Sequence, residues 1–362
     1  MNHARHFLVN ISSRFLQMGL AAGAVLGLLN CGGGGGYTSA PPPPPAITDV
    51  YIAGYENNVA GKSVAKVWKN GVATALTDGT QYATALCVAV SGSDVYAGGQ
   101  EYNGTTYVAK FWKNGTATSL TNGTKDACVY SMAIAGSDVY AAGYEVNATG
   151  KTVAKVWKNG NATLLSDGTQ DSNVYSMTVS GSDVYGAGYE YTGPSTFRAK
   201  TWKNGVATFL TDGTRNSNVN SMVVSGSDVY FGGYEFTLSG LLPVAKIWKN
   251  GTATTLTDGT QGANIRSLTV SGSDVYAAGG ESNGTNFVAK VWKNGVPTSL
   301  TDGTKPASTE AVSISGSDVY VSGYEYTGPS TYQAKTWKNG VTTSLTDGTR
   351  NSQGHAILVN VH

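Results

Sequence analysis

The four-residue string Trp-Lys-Asn-Gly occurs seven times in this chain, beginning at Trp68, Trp112, Trp157, Trp202, Trp248, Trp292 and Trp337, at intervals of 44 to 46 residues. These are all 7 Trp among 362 residues. A second marker, Asp-Val-Tyr, keeps the same beat at Asp49, Asp94, Asp138, Asp183, Asp228, Asp274 and Asp318. A period of about 45 means that one supersecondary unit is repeated, as in a propeller or a solenoid. Length alone would have suggested two or three domains, and the repeat overrides that prior.

The repeat from Ser176 to Gly213 carries four strand signals. Strand A is read at Ser176 to Val179, with Met177 and Val179 on one face; strand B runs from Asp183 to Glu190 after a Ser-Gly-Ser turn. Strand C runs from Phe197 to Lys203 and meets strand D, Val206 to Leu210, across Asn204-Gly205. Asn-Gly between two β-rich runs signals a type I′ hairpin, because both residues accept positive φ. No stretch has the apolar period of an amphipathic helix, which excludes helical and leucine-rich solenoids.

The two ends choose between an open stack and a ring. The first repeat starts at strand B, with no strand A before Asp49, and Arg350 to Asn360 aligns without gaps on Gln170 to Ser180. The C-terminus thus supplies the strand that the N-terminus lacks, and closure removes exposed sheet edges. The expected architecture is all-β: a seven-bladed β-propeller over residues 47–362, with four antiparallel strands per blade and the C-terminal strand completing the first blade.

The layout resembles kelch propellers. Ala97-Gly98-Gly99 at the end of strand B is like the kelch double glycine, and Val108 to Gly115 lies where kelch repeats have an aromatic strand. The kelch Trp of strand D is absent. The resemblance implies that strand A is innermost and that partners bind on the face where the A strands begin.

Residues 1–30 read as a signal peptide: Arg5 and Arg14 precede an apolar run of about 15 residues, too short to span a bilayer. The run ends at Leu28-Leu29-Asn30-Cys31, which resembles the lipobox of bacterial lipoproteins and implies lipidation at Cys31. The alternative is ordinary signal cleavage near Ala40. Residues 31–46 then form a tether of Gly and Pro runs. No Asp follows Cys31, so the expectation is an exported chain, lipid-anchored at the outer membrane or cell surface. A formal net charge of +1, or −1 once Arg5 and Arg14 are set aside, argues against nucleic-acid binding. Four His and 3 Cys leave little for a His/Cys metal site. No metal, cofactor or catalytic residue is assigned.

Residues shared by every repeat are read as architecture. The Trp are expected between blades, a carbohydrate-binding Trp stripe being the alternative. A Glu closing strand B and a Lys in strand C recur seven times, from Glu56 with Lys66 to Glu325 with Lys335. They are read as cross-strand ion pairs worth ~0.2–1 kcal/mol each, a cation-binding Glu ring being the alternative. The Asp-Gly turns after strand D are read as side chains bonding their own backbone. Cys87 and Cys128, near neighbouring A strands, are left open between a disulfide and two buried thiols.

Function is sought where the copies differ. The residue placed just before strand A is Leu86, Tyr130, Tyr175, Asn220, Arg266, Glu310 or His355, and these seven form the candidate ligand-binding ring. Drift at a tolerant loop position is the competing reading. The strand B–C loops also vary, with an apolar stretch at Leu238, Leu241 and Leu242. Lys125, Arg215, Lys305 and Arg350 are expected as a cationic rim. The leading expectation is a monomeric, non-catalytic envelope lipoprotein that binds a glycan, peptide or protein partner, touching the membrane only through its lipid. A carbohydrate-active hydrolase or lyase and a purely structural scaffold are the alternatives.

Overall fold

The computed structural model describes residues 47–362. The signal peptide, Cys31 and the tether lie outside the described residues. Twenty-eight strands form seven four-stranded sheets, each in the order A-B-C-D. Blade 4 is typical: A is Ser172–Ser180, B is Asp183–Tyr191, C is Phe197–Lys203 and D is Val206–Phe209. In blade 1, B (Thr48–Asn57), C (Ser63–Lys69) and D (Val72–Ala75) are joined by A from the C-terminus, Ser352–Val361. Ile357 lies opposite Ile52 in that pairing. The A strands of neighbouring blades touch one another around the whole circle, so they are innermost and the ring is closed. This is a seven-bladed β-propeller.

Each Trp packs across a blade boundary. Trp112 of blade 2 joins Tyr51, Ala65 and Val67 of blade 1, and Trp68 of blade 1 joins Ala311 and Tyr320 of blade 7. All seven are at most 2 % exposed. Burying ~150–250 Å² at each boundary makes them inter-blade anchors, and no Trp surface remains for a sugar.

The turns follow their chemistry. All seven Asn of Trp-Lys-Asn-Gly have φ near +50°, from 49° to 52°, and each following Gly is also positive. The same Asn does more than turn the chain. Asn204 Nδ2 donates to Asp183 Oδ1 (2.8 Å), and Asn204 Oδ1 accepts from the Val184 amide (2.9 Å). Lys203 reaches Asp183 Oδ2 at 2.8 Å and lies over the Tyr185 ring. Trp-Lys-Asn-Gly and Asp-Val-Tyr are therefore two halves of one clamp at the lower face, where the A–B and C–D turns lie. The Glu–Lys pairs of strands B and C also form, for example Glu190 with Lys200 at 2.6 Å and Glu325 with Lys335 at 3.8 Å. In each Asp-Gly turn the side chain accepts from the Thr two residues on, as Asp212 does from Thr214.

Strands B, C and D of blade 4 lie within one residue of the sequence reading, but strand A starts four residues earlier, at Ser172. The cause is a β-bulge. Val174 pairs with Gly188 and Ser176 with Ala187, which leaves Tyr175 without a partner across the ladder. The bulge breaks the two-residue alternation that reveals a strand. Gly188 is required opposite it, because a Cβ there would sit 2.0 Å from the Asn173 carbonyl oxygen.

Candidate binding site at the ring axis

The bulge recurs in every blade, and the residue it displaces is the one at which the copies disagree. The register skips Leu86, Tyr130, Tyr175, Asn220, Arg266, Glu310 and His355 in blades 2, 3, 4, 5, 6, 7 and 1. These residues therefore lie within the innermost strands rather than in a loop before them. They are also not exposed at a channel mouth: six are at most 7 % exposed, and the Arg266 side chain is 12 % exposed. A bulge re-aims its side chain and twists the strand, which frees this position from the packing that fixes its neighbours.

Most of the seven side chains meet across blade boundaries. Tyr130 and Tyr175 pack edge to face at 5.0 Å, and Leu86 shares their apolar cluster with Cys128 and Tyr144. Blades 2 to 4 thus give the ring an apolar half. The other half is polar: Asn220 Nδ2 donates to the Ile265 carbonyl oxygen at 2.7 Å, and Arg266 Nη1 lies 4.0 Å from Glu310 Oε2. His355 packs on Tyr55 at 5.7 Å. Burial pushes the Glu310 carboxyl up to about 7, against the pull of Arg266 and a hydrogen bond with Gln353. Burial, helped by Arg266, holds the His355 imidazole down at about 3, so it is neutral at ordinary pH.

A second tier, missed in the sequence, lies two residues earlier on each A strand: Thr84, Cys128, Asn173, Asn218, Asn264, Ser308 and Gln353. It is polar in six blades and nearer the upper face, which carries the B–C loops and the connections between blades. Asn173 Nδ2 donates to the Tyr189 hydroxyl (2.7 Å) and Asn218 Nδ2 to Asn220 Oδ1 (3.0 Å). Among the buried polar atoms without a hydrogen-bond partner, six lie in these two tiers: Oδ1 of Asn173, Asn218 and Asn264, Oε2 of Glu310, and both nitrogens of His355; Trp indole nitrogens at the blade boundaries are among the others. Leaving such an atom unmade costs about 1–3 kcal/mol.

Around the tiers, the ends of strands B and C carry half-buried rings. Tyr189, Tyr191 and Phe197 pack together, with Phe236 and Tyr234 beyond them; Tyr324, Tyr326 and Tyr332 form a second group. Tyr332 shares a hydroxyl contact with Tyr55. A cleft of about 500 Å³ opens on the same face between blades 7 and 1, lined by Asn57, Ser330, Thr349, Arg350 and other polar residues. Leu238 and Leu241 project from the blade 5 loop, 90 % and 77 % exposed.

Other expectations fare differently. Arg215 pairs with Glu235 at 2.9 Å and Arg350 with Glu56 at 3.6 Å, so half of the cationic rim is tied into ion pairs. Cys87 and Cys128 are buried free thiols, both pushed up by burial; no disulfide joins them. Among the described residues, no three His, Cys, Asp or Glu group as a metal site would require.

No family model matches the sequence, and no curated protein is similar to it. Solved structures share the fold. The β-propeller domain of the Trilobed protease from Pyrococcus furiosus is 10% identical with a TM-score of 0.52, over 83% of this chain and 95% of that one. A puromycin-hydrolyzing peptidase of Mycobacterium tuberculosis is 10% identical with a TM-score of 0.56, over 82% of this chain and 51% of that one. An acylaminoacyl peptidase in complex with Z-Gly-Gly-Phe-chloromethyl ketone is 12% identical with a TM-score of 0.51, over 83% and 51%. This chain spans about half the length of the two peptidases. At such identity the likeness is one of fold. The Pyrococcus domain is described as having an open velcro topology, whereas here the last strand pairs with blade 1.

Proposed function

We propose that this protein is a non-catalytic binding module, a kelch-like propeller displayed as a lipoprotein on the cell envelope, whose upper face holds a glycan, peptide or protein partner. The observation that carries this reading is the convergence of variation. Seven copies of one unit agree at their anchors and clamps, and they differ at a position that the fold brings together at the axis. Aromatic rings that are only half buried surround it on the same face.

The test is binding of the full-length protein to glycan and peptide arrays, repeated with Tyr326→Ala and with Tyr175 and Arg266 both replaced by Ala. The reading expects a ligand whose affinity falls at least tenfold in a variant that melts as a folded protein. A ligand held equally by all three proteins would sink it.

One observation favours the enzymatic alternative. Glu310, buried and with its carboxyl at about 7, has the protonation balance of a general acid. It is, however, the one carboxylate among the fourteen residues of the two tiers, and glycoside hydrolysis uses two. Turnover of a glycan panel that Glu310→Gln abolishes would establish that alternative instead.

A further inference from the structure

We infer that the upper tier at the axis takes the hydroxyl-bearing end of a neutral saccharide, an inference that rests on the face-binding reading above. Donor and acceptor supply at the axis sets the class of ligand. Asn173 and Asn218 are each 5 % exposed, Glu310 is 1 % and His355 is 0 %. Both Asn amide nitrogens are already engaged, by the Tyr189 hydroxyl and by Asn220 Oδ1, so the carbonyl oxygens are the open ends. Adding Asn264 Oδ1 and Glu310 Oε2 gives four open oxygens. Neutral His355 supplies one acceptor nitrogen and one N–H. The open side-chain atoms are therefore mostly acceptors and call for a ligand that can donate.

Charge narrows the class. Arg266 stands 4.0 Å from Glu310 and His355 is neutral, so above the Glu310 midpoint of about 7 these groups carry no net charge to hold an ion. A carboxylate or phosphate would bring acceptors to acceptors. An ammonium group would bring donors, but also a second cation beside Arg266. A peptide backbone carries as many acceptors as donors and would leave its carbonyls facing the Asn oxygens. A sugar hydroxyl carries no charge and rotates to turn its O–H toward an acceptor, which a fixed backbone carbonyl cannot do. The surrounding rings, Tyr189 and Tyr234 among them, offer apolar faces to sugar C–H groups. Asn264 and Thr84 of the same tier are only half buried, so the tier is reached from the upper face.

The full-length protein is titrated with neutral hexasaccharides of glucose, mannose, xylose and N-acetylglucosamine, with hexagalacturonate and with a random heptapeptide library. The expected result is binding of at least one neutral hexasaccharide, weakened about three- to tenfold by Asn264→Ala and by Asn218→Ala. Asn264 is less buried than Asn218, so Asn264→Ala carries the test should Asn218→Ala fail to fold. Three results overturn the inference: saccharide binding that neither substitution changes, preference for hexagalacturonate, or binding of peptides alone. The last two leave the face-binding reading standing. Failure of every probe counts against both.

Discussion

The lower face and the axis of this molecule are built from the same seven repeats and obey opposite rules. At the lower face, Asp, Tyr, Lys and Asn of a single repeat close on one another, and the arrangement at Asp49, Lys69 and Asn70 is repeated at Asp318, Lys338 and Asn339. Every charge there has its partner inside its own blade. At the axis, bulge residues reach to the next blade: Tyr130 to Tyr175, Asn220 to Ile265, Arg266 to Glu310. A contact made within a repeat is copied with the repeat. A contact made between repeats depends on two copies at once, so it can differ seven times without cost to the blade. The Trp anchors cross blade boundaries in the same way in every repeat, whereas the individuality of the protein lies in the boundary contacts at the axis.

The largest effect expected belongs to the scaffold. Trp157→Ala empties a site that Cys87, Tyr96 and Ala109 of the preceding blade help to line. It should cost about 3–5 kcal/mol in urea unfolding. Because the surroundings repeat, Trp337→Ala should cost the same to within about 1 kcal/mol. A gap of several kcal/mol between the two would break the idea of seven equivalent boundaries.

The next effect isolates the axis by pH. Glu310, raised from 4.5 to about 7, favours the folded state while protonated. Its contribution is complete below pH 4.5 and is lost as pH rises to 7. His355, lowered from 6.5 to about 3, favours the folded state while neutral. Its contribution is complete above pH 6.5 and is lost as pH falls toward 3. Between pH 4.5 and 6.5 the two slopes oppose each other, each about 1.4 kcal/mol per pH unit. The wild-type protein should therefore show a nearly flat stability there. His355→Leu should grow more stable as pH falls across that window, and Glu310→Gln less stable. The clamp carboxylates stay out of it, since hydrogen bonds from Lys158 and its counterparts hold Asp138 and its counterparts below 3.8. Parallel curves for all three proteins in urea melts from pH 4.5 to 6.5 would show that the axis is not titrating.

The fold was legible because its signals are local. Asn204-Gly205 needs no distant residue to make its turn, and alternation marks strand B from Asp183 onward. The site was legible only as a list. Comparing copies picked out Tyr175 and its six counterparts, yet put them in a loop before the strand. The correction was available in the spacing. Val174 and Met177 are both fully buried, three residues apart, and a strand can bury positions of that spacing on one face only through a bulge. The invariant glycine at Gly188 was the other half of that signal. The second tier went unnoticed because Asn173, Asn218 and Asn264 look like polar loop residues until the A strand is extended back over them. What no sequence pattern gives is which neighbours meet, since the pairing of Arg266 with Glu310 crosses a blade boundary.

The smallest effects should come from single pieces of the clamp, graded by how much backbone each one holds. Asn204 has φ of 51° and engages the Val184 amide as well as Asp183. Asn204→Ala loses both bonds and strains the turn, so it should cost about 1–2 kcal/mol. Asn204→Gly keeps the turn and loses only the bonds, so it should cost less. Lys203→Met removes a half-exposed charge that steers no backbone, and should change the melting temperature least of the three. Its small effect should also disappear in 1 M salt, where the Debye length is about 3 Å. If Lys203→Met instead proved the most damaging, the lower face would be held by charge rather than by turn geometry. The contrast with the axis would then have to be redrawn, because a charge-held rim is open to the same blade-to-blade coupling as the bulge ring.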